Sequence, residues 1–262
     1  MKKISCILSV TLILSTLLLG CGSTKEKVNS MEAIKEKGKF VVGLDDSFPP
    51  MGFRDDNGEI AGFDIDLAKE VAKRIGVKVE FKSVDWDGVV LSLKNKDIDV
   101  IWNGLTITDE RKEKIGFSKA YLKNRQIIMV NKNSVIESKM DLSKKSIGVQ
   151  MGSSSEEALN SEKDVVSSLK DVKKYSNNTE ALLDLKAGRI DAVVIDEVVG
   201  RYYMTKKPLT YEVLEDNFGE EEYGVGYRKE DKEFGEAIDK ALDEMKKDGT
   251  MDEIYKRWFK EK

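Results

Sequence analysis

Apolar and polar positions along the chain follow two different periods. In residues 64–75 the apolar side chains recur every three or four positions, which predicts an amphipathic helix. Gly76 follows, and glycine tolerates the left-handed turn at a helix end. Residues 77–81 then alternate with a period of two, as a strand does. Further strands are predicted at residues 40–44, 98–102, 126–130, 147–150, 192–195 and 223–227, and two late helices at 234–245 and 251–259.

This alternation of strands and helices predicts an α/β protein. One pattern occurs twice: Leu93-Lys94-x-x-x-Ile98-Asp99-x-Ile101 recurs as Leu185-Lys186-x-x-x-Ile190-Asp191-x-Val193, and residues 42–45 likewise resemble residues 147–150. The repetition predicts two similar α/β lobes. Two independent uses of a common helix-to-strand connection are the alternative.

Ligands of open α/β sheets bind beyond the carboxyl ends of the strands, so those ends indicate where a site would lie. They carry Asp45, Asn103-Gly104, Met151-Gly152 and Asp196.

The segment after the 98–102 strand has the residues to hold a carboxylate. Thr108 is suited to cap a helix whose first turn carries Arg111. A cation is unfavourable at that end of the helix dipole. We therefore expect the planar guanidinium to serve a bidentate carboxylate contact, with a plain surface arginine as the alternative.

The second half of the chain offers complementary groups. Ser153 and Ser154 lie in a segment, 152–157, that resembles a capping box, and the free N–H groups of a helix start can bind an anion. Asp196 ends an apolar strand, where it can accept hydrogen bonds from an ammonium group or cap the next helix.

The loop after the first strand carries Asp45, Phe48 and Met51. We expect Phe48 and Met51 to line the pocket for a ligand side chain, together with Trp86, and Asp45 to meet its polar end. The alternative is that these aromatic and methionine side chains belong to the core.

The N-terminus resembles an export signal. Lys2 and Lys3 precede an apolar run over residues 4–19, which is shorter than the roughly 20 residues of a membrane-spanning helix. Leu18-Leu19-Gly20-Cys21 resembles the lipobox of bacterial lipoproteins, which implies lipidation and cleavage at Cys21. The alternative is an uncleaved anchor. We predict a signal peptide over residues 1–20 and a polar tether over 21–30.

Composition excludes several classes of enzyme. The chain has no histidine and two cysteines, Cys6 and Cys21, both in the N-terminal segment, so the domain that follows can form no Cys or Ser-His-Asp catalytic centre and no His/Cys metal site. One Ser-x-x-Lys motif, Ser167 to Lys170, has no companion motif. The 44 basic and 48 acidic residues argue against nucleic acid as a partner, and nothing implies a metal or cofactor.

The chain resembles the polar amino-acid substrate-binding proteins of ABC importers, which have the bilobal type II periplasmic-binding-protein fold, over about residues 31–259. The resemblance lies in the order and spacing of GEIAGFDIDLAKEVAKRIG (58–76), DIDVIWNGLTITDERKEKIGFS (97–118), VQMGSSSEEAL (149–159), LKAGRIDAVVIDE (185–197) and YGVGYRKED (223–231). It implies two lobes joined by a two-strand hinge, with residues 31–124 and 223–262 in lobe 1 and 125–222 in lobe 2.

The resemblance also implies a binding role for each site residue. Arg111 would hold the ligand α-carboxylate with the N–H groups around Ser153 and Ser154. Asp196, Thr106 and the carbonyl of Asn103 or Gly104 would receive the α-ammonium group. The side-chain pocket would comprise Asp45, Phe48, Met51, Trp86, Asn103 and Gln150.

We therefore expect a non-enzymatic, lipid-anchored extracytoplasmic protein that binds a polar, cationic or cystine-like L-amino acid and passes it to a membrane permease. The alternatives are an exported lyase that resembles cyclohexadienyl dehydratases, with Glu197 or Asp45 as general acid, and a ligand-presenting sensor module. The amino acid itself is not identified by the sequence.

Overall fold

A computed structural model describes residues 29–259 of the chain. The predicted signal peptide, Cys21 and most of the predicted tether lie outside the described residues. The helices are α1 (Ser30–Lys37), α2 (Phe63–Ile75), α3 (Val89–Lys94), α4 (Asp109–Lys114), α5 (Ser154–Ser161), α6 (Lys163–Ser168), α7 (Asn178–Lys186), α8 (Glu197–Lys206), α9 (Lys232–Asp248) and α10 (Thr250–Phe259), with short 3-10 helices at Trp86–Gly88 and Lys139–Leu142.

The strands form two five-stranded sheets and one small sheet. They are β1 (Lys39–Leu44), β2 (Ser47–Phe48), β3 (Gly52–Arg54), β4 (Ile60–Ala61), β5 (Lys78–Ser83), β6 (Val100–Ile101), β7 (Gly116–Phe117), β8 (Leu122–Asn131), β9 (Ser146–Gln150), β10 (Asp171–Tyr175), β11 (Ala192–Asp196), β12 (Tyr211–Tyr223) and β13 (Gly226–Tyr227). The first sheet has the order β5-β1-β6-β13-β7, the second β10-β9-β11-β8-β12, and the small antiparallel sheet β2-β3-β4.

The two large sheets share one design. Each has three parallel strands at one side, β5-β1-β6 and β10-β9-β11, followed by antiparallel strands at the other. We call the elements around the first sheet lobe 1 and those around the second sheet lobe 2. The prediction of two similar α/β lobes is confirmed.

The repeated sequence pattern makes the same contacts in both lobes. In lobe 1 the Asp99 N–H donates to the Val41 carbonyl at 2.8 Å, and Asp99 Oδ2 accepts the Val41 N–H at 2.9 Å. In lobe 2 Asp191 does the same with Ser146, at 2.8 Å in each direction. The aspartate therefore joins the start of β6 or β11 to the neighbouring parallel strand.

The isoleucine before each aspartate explains a glycine in the neighbouring strand. A Cβ atom on Gly43 would lie 2.3 Å from Ile98 Cδ1, and one on Gly148 would lie 2.6 Å from Ile190 Cδ1. Real Cβ contacts are not this short, so a side chain at either position would displace the end of this isoleucine from its present packing against the sheet.

The helix predicted at residues 64–75 is α2, and it ends as expected. Ile65, Leu67 and Val71 are fully buried, and Gly76 adopts a left-handed conformation with φ +79°. Its N–H donates to the carbonyl of Ala72. The period of the sequence thus identified the buried face of this helix.

Two boundaries differ from the sequence-based prediction. The single strand predicted at 223–227 is divided, because β12 ends in the second sheet at Tyr223 whereas β13 belongs to the first sheet. Between them the Gly224 N–H donates to the Leu105 carbonyl. Asn29 and Ser30 also belong to the fold rather than to the tether, since the Asn29 side chain caps α1.

The strands β8 and β12 pair where the chain passes between the lobes. Their first paired segment runs without a shift from Leu122 opposite Tyr223 to Arg125 opposite Glu220. The predicted lobe limits at 124/125 and 222/223 fall inside this paired segment and stay a prediction. Within residues 29–259 there is no helix with the length and apolar character to cross a membrane.

Candidate functional site

The predicted site residues lie at strand ends, in loops and at helix starts of both lobes, in the region where the two lobes contact each other, which we call the cleft. Lobe 1 contributes Asp45, Phe48, Met51, Trp86, Asn103, Gly104, Thr106 and Arg111, and lobe 2 contributes Gln150, Ser153, Ser154 and Asp196. Two close polar contacts join residues of these two groups directly, and a third joins Arg111 to Gly152 of lobe 2. They are described in turn below.

Arg111 lies in the first turn of α4, as predicted, where the Thr108 side chain caps the helix by accepting the Arg111 N–H. Its guanidinium donates to the Thr106 carbonyl at 3.0 Å and reaches the Gly152 carbonyl of lobe 2 at 3.4 Å. Burial lowers the pKa of Arg111, while the nearby carboxylate of Glu157 acts in the opposite direction. This arginine therefore lies at the cleft and not on an open surface.

A second contact crosses the cleft through hydroxyl groups. Thr106 Oγ1 of lobe 1 and Ser154 Oγ of lobe 2 are 2.9 Å apart. Gln126 Nε2 donates both to Ser154 Oγ at 3.1 Å and to Asp196 Oδ1 at 3.0 Å. Hydrogen bonds thus connect the cation of Arg111 with the carboxyl group of Asp196 through Thr106, Ser154 and Gln126.

Asp196 does not cap the helix that follows it. It stands at the N-cap position of α8, yet its side chain accepts no N–H from that helix. Oδ1 instead accepts from Tyr223 Oη at 2.6 Å, from Asn124 Nδ2 at 2.9 Å and from Gln126. Burial raises the pKa of Asp196 well above its ordinary range, and the neighbouring Glu221 raises it further.

The third cross-cleft contact joins Asp45 with Gln150. Gln150 Nε2 donates to Asp45 Oδ2 at 2.7 Å, and Ser47 donates to Asp45 Oδ1 through its N–H at 2.9 Å and its hydroxyl at 2.6 Å. Burial raises the pKa of Asp45, against the effect of these hydrogen bonds. Gln150 is itself fixed by Asn178, whose amide donates to its Oε1.

Asn103 and Gly104 connect the site loops of lobe 1 with each other and with α2. Asn103 Oδ1 accepts the Asp45 N–H at 3.2 Å, so the two loops are joined inside lobe 1. Gly104 has φ +59°, and a Cβ atom there would lie 2.9 Å from the Phe48 ring. Its N–H donates to Asp64 Oδ2 at 2.7 Å.

The apolar residues predicted to line the pocket are buried in this structure. Met51 is fully buried in the same apolar cluster as Phe48, and Trp86 belongs to a second cluster beside Val89. Of the two interpretations, pocket wall or core residue, the second describes the packing of Met51 best. Phe48 lies against Gly104, so it adjoins the loop that carries Thr106.

The start of α5 follows the capping prediction with one change. Ser153 Oγ accepts the Glu156 N–H at 3.2 Å, but the Glu156 side chain accepts the N–H of Gly152 instead of that of Ser153. The Ser153 N–H makes a long contact of 3.4 Å with the Gln150 carbonyl. The Ser153 hydroxyl donates to the same carbonyl at 2.7 Å.

The sequence-based prediction did not include five polar residues at the site: Asp64, Asn124, Gln126, Glu221 and Tyr223. Apart from the half-buried Glu221 they are buried, and Asp64 is 0% exposed. Burial raises the pKa of Asp64 to about 7, although the N–H of Gly104 and the hydroxyl of Tyr121 favour its ionised form. The sequence offered one signal for these residues: the buried strand β8 carries polar residues at the alternate positions 124 and 126.

The arrangement offers a fixed cation and a fixed carboxyl group with hydroxyl and amide groups between them. These are groups that match a zwitterion, since a guanidinium pairs with a carboxylate and carboxyl oxygens accept from an ammonium group. Among residues 29–259 no cluster of acidic side chains is placed to hold a metal ion.

Comparison with known proteins finds a family of solute-binding proteins and relatives that are named for amino acids. The family model of the bacterial extracellular solute-binding proteins, family 3, matches residues 40–261. The L-cystine-binding protein TcyJ of Escherichia coli (strain K12) is 36% identical over 231 residues, which cover 87% of this chain and 85% of that protein.

A second relative matches the whole chain. The ABC transporter glutamine-binding protein GlnH of Bacillus subtilis (strain 168) is 35% identical over 274 residues, covering 100% of this chain and 98% of its own. Among solved structures, an ABC uptake transporter substrate binding protein from Streptococcus pneumoniae with bound histidine superposes with a TM-score of 0.86. It is 36% identical and covers 89% of this chain and 97% of its own.

Proposed function

Because the chain belongs to the bacterial extracellular solute-binding proteins of family 3, we propose that it binds a polar or charged L-amino acid between its lobes and delivers it to the membrane permease of an ABC importer. The observation that carries the proposal is the hydrogen-bonded connection from Arg111 through Thr106, Ser154 and Gln126 to Asp196. Its two ends have the chemistry that an amino acid's carboxylate and ammonium groups require.

In this proposal Arg111 binds the α-carboxylate together with N–H groups at the start of α5. Asp196, the Thr106 hydroxyl and a carbonyl of residue 103 or 104 receive the α-ammonium group. These groups come from both lobes, so a bound amino acid stabilises the arrangement in which the lobes touch. Each hydrogen bond to a charged group contributes about 1.5–3 kcal/mol, so a few such bonds outweigh a modest cost of closure.

The ligand side chain would lie near Asp45 and Gln150. Asp45 is buried and accepts two hydrogen bonds from Ser47 at Oδ1 and one from Gln150 at Oδ2, so Oδ2 retains acceptor capacity for a cationic or amide group. Phe48 and Trp86 would provide apolar walls, and Asn103 would complete the polar side. This chemistry favours cationic, amide-bearing or cystine-like side chains.

The N-terminal segment carries the remaining part of the proposal. We infer that residues 1–20 direct export, that Cys21 is lipidated, and that the lipid anchors the protein to the outer face of the cell membrane. A short polar segment before Asn29 would then hold the two lobes within reach of the permease.

Isothermal titration calorimetry tests the proposal. Residues 23–262, refolded to remove carried-over amino acid, are titrated with L-cystine, L-glutamine, L-arginine and L-histidine. We expect one-to-one binding of at least one of them, with no chemical change of the amino acid in the recovered solution. No binding in the panel would contradict the proposal, and depletion of a bound compound would favour the lyase alternative.

A further inference from the structure

The carboxyl group of Asp196 has a second carboxyl group beside it. Asn124 Nδ2 donates to Asp196 Oδ1 at 2.9 Å and to Glu221 Oε1 at 2.5 Å. Gln126 Nε2 donates to the same two oxygens at 3.0 and 2.8 Å. Two amide groups therefore hold the oxygens of Asp196 and Glu221 next to each other.

The geometry disfavours two negative charges at this place. Asp196 is 3% exposed, and its neighbours Asn124, Gln126 and Tyr223 donate hydrogen bonds without carrying a charge. Two adjacent carboxyl groups with no cation between them retain one proton, because like charges at this separation repel. The raised pKa of Asp196 agrees with this expectation.

Other charged and titratable groups lie on the elements that carry or adjoin the pair. These groups are Arg111 on α4, Glu157 on α5, Lys123 and Arg125 on β8, Glu197 and Arg201 on α8, and Glu220, Glu222 and Tyr223 on β12. Arg125 and Arg201 both pair with Glu197. Arg111 is the cation whose charge interacts with both Asp196 and Glu221, and in the proposed function it is occupied by the ligand carboxylate.

We propose that Asp196 and Glu221 form a carboxyl–carboxylate pair that holds one proton, and that an amino acid's ammonium group displaces this proton when it binds beside Asp196. The inference rests on the proposed function. Before binding, the pair carries one negative charge and one proton. After binding, both carboxylates are ionised, the ammonium group retains its own protons, and the displaced proton passes to the solvent.

Glu221 is the member of the pair that reaches the protein surface, so the displaced proton can pass to solvent there. Glu221 is half-buried and lines a surface pocket of about 460 Å³ beside the paired strands β8 and β12. The pocket is lined by Lys123, Asn124, Arg125, Glu197, Glu220, Glu221 and Glu222. Glu221 thus lies between the buried Asp196 and water.

The proton release is measured by calorimetry in buffers that differ in ionisation enthalpy. L-cystine, L-glutamine, L-arginine and L-histidine are each titrated into residues 23–262 at several pH values. For each that binds, we expect release of up to about one proton and an affinity that rises by up to about tenfold per pH unit below the pair's pKa.

Two variants separate the pair from the general acidity of β12. Glu221→Gln keeps the shape and the acceptor oxygen but removes the second carboxyl group. Burial alone still raises the pKa of Asp196, so we expect proton release that is smaller at a given pH and a pH dependence of binding that is displaced to lower pH. Glu222→Gln removes an equal charge from the neighbouring, exposed residue and should behave as the unaltered protein does. Equal proton release from the unaltered protein and from Glu221→Gln, or none from the unaltered protein, would overturn the inference.

A measurement without amino acid keeps the inference separate from the proposed function. Carbon-13 NMR of the carboxyl groups, with the Asp196 signal assigned by its loss in Asp196→Asn, should show that Asp196 titrates well above the ordinary aspartate range. Glu221→Gln should lower that pKa. If none of the four amino acids binds, the proposed function fails, and this titration alone decides whether the pair shares a proton.

Discussion

Thr106 and Ser154 belong to different lobes, and their hydroxyl oxygens are 2.9 Å apart. Both side chains are almost fully buried, so this contact forms only where the lobes meet. It lies between Arg111 and Asp196 in the hydrogen-bonded connection across the cleft. The contact therefore links lobe closure with the groups that would bind an amino acid.

Replacing the hydroxyl of Thr106 should weaken amino-acid binding. Thr106→Val keeps the shape of the side chain but leaves the Ser154 hydroxyl without this partner. We expect a loss of about 1–2 kcal/mol, or about five- to thirtyfold in Kd, by calorimetry. Thr106→Ser retains the hydroxyl and is the matched control, and equal affinities for the two variants would argue against a role for this contact.

Arg111→Ala should abolish most of the affinity. The guanidinium is half-buried at the cleft, and its loss removes a charge-assisted contact to the proposed carboxylate, for which we expect about 3 kcal/mol or more than a hundredfold in Kd. Lys112→Ala is the control, since Lys112 is exposed and pairs with Asp109 on the surface. Similar affinities for the two variants would remove Arg111 from the site.

Gly152→Ala should disfavour closure of the lobes. Gly152 has φ +72°, and a Cβ atom there would lie 2.8 Å from the Cα of Asp87 in the other lobe. We expect weaker binding by calorimetry and a larger radius of gyration in the presence of amino acid by small-angle X-ray scattering. Gly38→Ala, at φ +70° with nothing within 4 Å, introduces the same backbone strain without the contact. It should leave both measurements unchanged.

Lys96→Gly should stabilise the protein. Lys96 has φ +64° and occupies the place in lobe 1 that Gly188, with φ +69°, occupies in lobe 2. Relief of the left-handed strain contributes about 1 kcal/mol, which corresponds to a rise in Tm of roughly 2–4 °C in a thermal melt. Lys94→Gly, at the end of α3, removes a similar side chain without such relief and should lower the Tm. A lower Tm for Lys96→Gly would contradict the argument.

Asp64 should make the protein less stable as the pH rises from about 4 to about 7. Its pKa is 3.8 in an ordinary setting and about 7 in the folded protein, because burial disfavours the charged form. The folded state binds more protons in this window than the unfolded state, so the stability present at low pH is lost as Asp64 ionises. The difference amounts to about 4 kcal/mol.

Asp64→Asn removes this titration and provides the comparison. Chemical denaturation of the unaltered protein at pH 5 and pH 8 should show a larger fall in the free energy of unfolding than the variant shows over the same interval. Equal falls in the two proteins would show that Asp64 is not responsible. The comparison between the two differences cancels the contribution of other titrating groups.

Local features of the fold were predictable from the sequence. The period of residues 64–75 gave α2 and its buried face, Thr108 was correctly identified as a helix cap, and segment 152–157 was correctly identified as a helix start. The repeated pattern around Asp99 and Asp191 predicted two similar lobes. These features depend on residues a few positions apart, or on a pattern that occurs twice. The divided strand at 223–227 was missed because its two parts are equally apolar and differ only in the sheet that they join.

The sequence by itself determined the α/β class, the two-lobe design and the family, and it led to the proposal that a ligand binds at the strand ends. Only the tertiary structure brought Thr106 to Ser154, 48 positions apart, and placed Glu221 beside Asp196 through the amides of Asn124 and Gln126. Hydrophobic period and capping are short-range properties that can be recognised in a single segment. Which polar groups meet depends instead on how two sheets and their connecting strands pack, and burial at that meeting point sets the pKa of Asp196.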